Sequence, residues 1–287
     1  MTRYGLNPAT PVLSRPDGVV QVGWDPRRAL LVRPPSGMTT AALAHLLRAL
    51  QSGATLADVQ AAAGGVDATT IADLVAGLVD AGVVKAMPRP ATRSASIRIH
   101  GRGPLSDLLT SALRCSGARI KNSNQPHAAV TAETTDLVVL SDSLVADPRM
   151  LRELHAARIP HLAVRVRDGA GLVGPLVVPT VTSCLRCADL HRSDRDAGWP
   201  AVAAQLRDTV GNADRATVLA TAALALNQID RVIAAVRGGV RITDIDRAPH
   251  PPSTLDTTLE FDVSTGSTMA RRWMRHPRCT QCSAGHG

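Results

Sequence analysis

Four cysteines in two pairs carry the clearest chemical signal in this sequence. Cys184-Leu185-Arg186-Cys187 and Cys279-Thr280-Gln281-Cys282 each place two thiols one turn apart, with residues 188–278 between the pairs. A C-x-x-C turn brings two thiolates onto one metal ion, and two such turns complete a tetrahedron. Four soft sulfurs with no open coordination position suit a structural zinc. The competing readings are a redox dithiol, which needs only one such turn at a helix start, and four thiols with no joint role. Zinc is the expectation, since in a reducing compartment the pattern reads as metal before disulfide. Its task would be mechanical, pinning the C-terminal tail to the segment after the sheet, with on the order of 10 kcal/mol of folding free energy available from the metal. Arg186, Arg278 and N–H groups of the turns would offset the negative charge of the site. His191 is not needed as a fifth ligand and is expected beside the centre or at the surface. Cys115, on an apolar helical face, is expected to be a buried small hydrophobe.

A second candidate is the turn Gly101-Arg102-Gly103-Pro104-Leu105-Ser106. It follows a strand pattern and opens a helix pattern, where nucleotide phosphates meet a helix N-terminus. Ser106 replaces the third glycine of that fingerprint, and Pro104 removes one N–H from the turn. The next strand pattern ends in Lys121-Asn122 instead of an acidic ribose binder. Residues 104–135 are too few for a full second strand–helix unit before the strand at Asp136. The expectation is a Rossmann-like sheet that has lost its ligand.

The elements that must position these residues fall into two groups. Before about residue 88, Val12-Leu13, Val19 to Trp24 and Ala29 to Val32 read as three short strands separated by Pro16-Asp17-Gly18 and Asp25-Pro26. Three helices follow. Leu43, Leu46, Leu47 and Leu50 share one face, Thr55 caps a short helix, and Asp67 or Thr69 caps a third with the stripe Ile71, Leu74, Val75, Leu78 and Val79. Gly82 ends it and Val83-Val84 starts a strand. This is a winged-helix-like α+β unit. Met87 to Ala95 has linker composition, so domains are expected at 1–88 and 94–287.

From Ser96 the pattern is α/β. Ile97–His100, Ala118–Lys121, Asp136–Leu140 and His161–Val166 read as strands, with helices from Leu105 to Leu113 and Arg149 to Arg158 between them. That alternation argues for a parallel, Rossmann-like sheet. Gly171 to Val178 looks like an antiparallel addition, Ala213 to Arg237 a long helix, and Arg241–Asp246 and Leu255–Val263 late strands.

Composition limits the function classes. Three Trp, one Tyr and one Phe in 287 residues exclude a base-stacking platform, which needs clustered rings. The net charge is +8 and the isoelectric point about 10.2. Only Lys85 and Lys121 are lysine. A basic surface favours acidic partners of any kind, peptides included. No apolar run reaches the length of a membrane span, and Met1 to Pro11 lacks a signal-peptide core. A soluble cytoplasmic protein is expected.

Together these segments resemble the ThiF/MoeB-like, ubiquitin-activating-type adenylyltransferase fold over roughly residues 96–287. Gly171 to Pro179 followed by Ser183-Cys184-Leu185-Arg186-Cys187, and the closing Pro277-Arg278-Cys279-Thr280-Gln281-Cys282, look like that family's two zinc knuckles. More narrowly, the run from Cys184 to Asp196 with Trp199-Pro200, and the N-terminal run Val20 to Ala29, are similar to divergent ThiF-like proteins of azole- and azoline-forming bacteriocin pathways. Those carry an N-terminal winged-helix clamp for a precursor's leader peptide. Active adenylating members also have a complete glycine loop, an acidic residue after the second strand, an Asn-x-x-Arg-Gln-like segment and a magnesium-binding Asp. Here only Asp142 is a candidate for the last.

The resemblance implies a non-catalytic scaffold, with no catalytic residue of its own, that presents a precursor leader peptide to a partner cyclodehydratase. The implied peptide site is the Ala29–Val32 edge with Arg28, Leu30, Val32, Arg33 and Leu74. Gly101, Gly103 and Asp142 would be a vestigial nucleotide site, with zinc as cofactor and ATP not expected. A homodimer is left open. One alternative is an active adenylyltransferase using Gly101, Gly103 and Asp142. The other is a winged-helix DNA-binding regulator. Against it, Asp67 to Ala81 carries Asp67, Asp73 and Asp80 and no Arg or Lys, a charge that repels phosphates.

Overall fold

The leucines at one face of helix α1 (Thr40–Gln51) become the floor of an N-terminal core. Leu43, Leu46, Leu47 and Leu50 are each at most 1% exposed. Burying each contributes about 1.5–3 kcal/mol relative to leaving it in water. The structure is a computed structural model that describes residues 2–87, 93–124 and 134–283, and the chain divides into units of residues 1–90 and 91–287. The linker stretch 88–92 lies outside the described residues.

In the first unit, Thr39 caps α1, and Thr55 caps α2 (Leu56–Ala62) in a reciprocal box with Asp58. Asp67 accepts from the N–H groups of Thr69 and Thr70 and so starts α3 (Ala68–Asp80). Ile71, Val75 and Leu78 of α3 are buried. Two three-stranded antiparallel sheets accompany the helices. One has the order β5-β1-β6, from β1 (Arg3–Leu6), β5 (Ala54–Thr55) and β6 (Val84–Met87). The other has the order β2-β3-β4, from β2 (Val12–Ser14), β3 (Val20–Val22) and β4 (Leu30–Val32).

The second unit is an α/β fold around a seven-stranded mixed sheet of order β13-β12-β11-β10-β9-β7-β8. Strands β7 (Ser96–His100), β8 (Arg119–Ser123), β9 (Leu137–Ser141) and β10 (His161–Arg167) run parallel. Strands β11 (Ala170–Val177), β12 (Thr257–Asp262) and β13 (Ser267–Arg272) continue it antiparallel. Helices α4 (Pro104–Leu113) and α8 (Arg215–Arg237) pack on one face with Ile97, Ile99, Val139, Val164 and Val166. On the opposite face, α5 (Pro148–Ala156) and the start of α6 (Leu185–Arg195) pack against Val138, Leu140, Ala163 and Val177. Two short helices, α7 (Trp199–Leu206) and α9 (Thr280–Ser283), complete the unit.

Several expectations need correction. Arg241–Asp246 is not a strand. Ile242–Arg247 forms a 3-10 helix, because Ile245 is drawn fully into the core and Arg241 pairs with Asp244 three residues on. Strand β13, unforeseen, is an exposed outer edge whose residues lack an alternating apolar face. Cys115 lies beyond the end of α4 and is exposed, so it is not a core residue. Helix α8 has the length and mean composition of a membrane span, although Asn227, Gln228, Asp230 and Arg231 interrupt its apolar residues. Here it is the helix that covers the sheet, with Ala225 and Ile229 inaccessible to solvent.

Candidate functional site: a four-cysteine centre and a closed glycine turn

The segment after β11 delivers the first two thiols. Val178 N–H donates to the Thr182 hydroxyl at 2.8 Å, and Ser183 N–H donates to the Asp256 carboxylate at 2.6 Å. This fixed turn places Cys184 at the N-cap of α6 and Cys187 in its first turn. The second pair arrives on the turn His276–Cys279, closed by the Cys279 N–H to His276 carbonyl bond, and on α9. All four cysteines are buried, unbridged and within reach of one ion, with ligand atoms within 4.8 Å of one another. Sulfur–sulfur distances are 3.7 Å for Cys184–Cys187, 3.5 Å for Cys184–Cys279 and 3.5 Å for Cys187–Cys282. A tetrahedral ion with sulfurs at about 2.3 Å requires separations of about 3.8 Å, so the donor set fits zinc. Thiol hydrogen bonds from Cys184 and Cys282, together with the His276 N–H, lower the Cys187 thiol below its ordinary range. The Cys184 thiol, hydrogen-bonded to Cys187 and Cys282 and buried, is raised in turn.

A polar belt surrounds the centre. His276 is buried, and its Nδ1 accepts from Arg278 N–H at 3.1 Å while its Nε2 meets Asp194 Oδ2 at 2.7 Å. The hydrogen-bond pattern assigns the proton to Nε2. This bond, with Arg278 nearby, holds the Asp194 carboxyl below the usual range. His191 stands edge-on to His276, ring centroids 4.7 Å apart, and its Nε2 meets the Met274 carbonyl at 3.0 Å. Arg278 is spent on Asp194, and Arg186 is exposed.

The glycine turn and Asp142, grouped by the resemblance as a vestigial nucleotide site, lie together, with the carboxylate turned onto the helix start. Gly101 and Gly103 adopt φ of +155° and +156°, and a Cβ on Gly101 would fall 2.3 Å from the Ser141 carbonyl oxygen. Asp142 is itself at φ +70° and only 1% exposed. Its Oδ1 accepts from Leu105 N–H at 2.9 Å, and its Oδ2 accepts from Ser106 N–H at 3.0 Å and from the Ser106 hydroxyl. The first free N–H groups of α4, the ones an anion would use, therefore bind a carboxylate of the same chain. The strand end is covered as well: Gly211 N–H donates to the Asp142 carbonyl, Leu144 N–H donates to the Thr209 carbonyl, and Ser143 bridges Val210.

In the first unit, β4 pairs only with β3 among the described residues, so its other edge is free. Val32 is buried at 7% exposure, and Leu30 and Leu74 pack partly against the same core. Arg28 and Arg33 are exposed. Leu31 and Leu13 lie outside the peptide-site residues expected from the sequence. They are 53% and 43% exposed and flank Gln21 in one cross-strand row on the outer face. The alternation Leu30-in, Leu31-out was the available signal.

Comparison with solved structures matches this fold to known proteins. The chain superposes on the heterocyclase TruD with a TM-score of 0.66 at 17% identity, over 98% of this chain and 43% of that one. A heterocyclase in complex with substrate and cofactor gives 0.65 at 16% identity, over 98% and 40%. The microcin C7 biosynthetic enzyme MccB in complex with N-formylated MccA gives 0.59 at 11% identity, over 98% and 99%; the same enzyme from E. coli bound to ATP gives 0.59. The chain thus spans about two fifths of the heterocyclase chains and nearly all of MccB. It has the ThiF/MoeB-like fold expected from its sequence. No protein-family model matches the chain, and no curated protein is recognisably similar in sequence.

Proposed function

We propose that this chain is a non-catalytic, cytoplasmic scaffold with a ThiF-like fold. It binds the leader of a ribosomally made precursor peptide and presents it to a partner cyclodehydratase for azoline or azole formation. The unit of residues 1–90 is the winged-helix-like clamp, and residues 91–287 form a platform pinned by a zinc held on Cys184, Cys187, Cys279 and Cys282.

One pairing of opposites carries the reading. Among the described residues strand β4 keeps an open hydrogen-bonding edge, while the glycine turn is filled by Asp142. An extended leader would add to β4 through main-chain hydrogen bonds. Leu31 and the partly buried Leu30 and Leu74 would supply apolar contact, and Arg28 and Arg33 would attract an acidic segment. Val32 contributes from within the core. Adenylation needs a phosphate cradle and a cation together, and the cradle's donors are already engaged. The likeness to a heterocyclase with substrate and to MccB with MccA supports a place in ribosomal-peptide maturation.

Calorimetry with a candidate leader and ATP–pyrophosphate exchange test the proposal together. Leader binding without exchange is expected. Exchange that depends on Asp142 would replace it with an adenylyltransferase.

A further inference from the structure

The large sheet carries a cationic cluster that neither the cysteine centre nor the glycine turn uses. On β10, Arg165 and Arg167 share the face that Ala163 turns toward the cysteine centre. Arg192 of α6 is held between two indoles, its guanidinium carbon 5.2 Å from the Trp199 ring centre and 4.9 Å from that of Trp273. Arg271 of β13 lies 5.9 Å from the Trp273 ring centre.

Three of these four arginines have a carboxylate. Arg192 meets Asp189 at 2.8 Å, and Arg167 and Arg271 share Glu260 at 3.5 and 4.0 Å. Arg165 does not. It is 8% exposed, and among the described residues its guanidinium donates no hydrogen bond. Burial, reinforced by the charges of Arg192 and Arg167 and only partly offset by Asp189, brings it down to about 10. None of the Arg165 nitrogens is a fully buried, unpartnered atom, so its fork still meets solvent while lacking a protein acceptor, and a ligand can complete it.

We propose that Arg165, with Arg167 on the same strand face, Arg192 close enough to act on its charge, and Arg271 at the outer end of the cluster against the same indole as Arg192, is an anion site that takes a carboxylate of an acidic peptide. The planar fork of a guanidinium donates two parallel hydrogen bonds to a carboxylate. The indole faces are already occupied by arginines, so they do not serve to stack bases. Trp199 gives its N–H to Asp189 and Trp273 gives its own to Thr258, which fixes both rings. The site lies within the second unit and does not depend on peptide addition at β4, so either can fail without the other.

The test uses the full-length protein at low ionic strength, titrated with acetylated, amidated tetraglutamate, with the tetraglutamine counterpart and with inorganic phosphate. The glutamate peptide is expected to bind saturably and to change tryptophan fluorescence, and the glutamine peptide is not. Arg165→Gln should weaken binding by about tenfold or more, the loss of one charge-assisted pair. Should that variant not fold, Arg271→Gln on the exposed strand should weaken binding by about threefold or more. Absence of saturable glutamate-peptide binding, or equal binding by wild type and the folded variant, overturns the proposal. Phosphate binding in place of the peptide overturns its assignment to a carboxylate.

Discussion

Asp142 and Ser106 are joined twice, the carboxylate accepting both the backbone N–H and the hydroxyl of the serine. The serine stands where the dinucleotide fingerprint has its third glycine, and the aspartate reaches it from the end of β9, where the chain turns at positive φ. An internal anion thus caps α4. Its hydrogen bonds are charge-assisted and shielded, which makes the pair a structural element with consequences for stability.

Asp142→Ala is expected to destabilise the protein by about 1–3 kcal/mol, because two buried N–H groups lose their acceptor. Gly103→Ala should cost at least about 1 kcal/mol, since its Cβ would fall 2.7 Å from Asp142 Oδ1 at a φ few side chains tolerate. Urea denaturation of both variants checks this; wild-type stability in Asp142→Ala would mean the contact is incidental.

The four-cysteine centre is expected to hold one zinc per chain, measurable by elemental analysis. Cys187→Ser should release the metal and expose Trp273, now 5% exposed, with a red shift in its fluorescence. A metal-free preparation with an unchanged melting temperature would rule out the structural role.

His161 gives a pH signature. It is fully buried, with Nδ1 on the Ile159 carbonyl at 3.0 Å, and burial lowers it to about 4. Between the ordinary value near 6.5 and about 4 the unfolded chain binds more protons than the folded one. Stability should therefore be intact above about pH 6.5 and fall by about 3 kcal/mol as pH drops toward 4. His161→Gln should lack this slope in pH-resolved denaturation.

Asp136 acts in the same direction at lower pH. Burial alone would raise it, but a bidentate pair with Arg93 at 2.8 and 2.6 Å and the Ser96 N–H outweigh that and lower it. Its contribution is present above the unfolded carboxyl value of about 3.9 and lost as pH falls through the lower folded one. Asp136→Asn should therefore be less stable than wild type at pH 7, with the gap closing in acid.

What the sequence made legible was local or periodic. The cysteine pairs follow from spacing, the leucine face of α1 from its period, and the parallel strands from their apolar runs. What it hid was long-range. Asp142 caps a turn 36 to 37 residues upstream, a relation no local pattern contains. Strand β1 is four residues with a glycine inside, and it exists because β5 and β6 flank it. Arg241–Asp246 has strand-like residues, but the burial of Ile245 and the Arg241–Asp244 pair decide for a helical turn. Arg165 sits in an apolar run and shows its isolation only in three dimensions.

The central claim is peptide capture without nucleotide chemistry, and hydrogen–deuterium exchange on the full-length chain tests both halves at once. With excess candidate precursor peptide, amides of Leu30 to Val32 should gain protection; with magnesium and ATP, residues 101–106 should be unchanged. Protection of residues 101–106 by ATP, with no response at β4 to the peptide, would contradict the account.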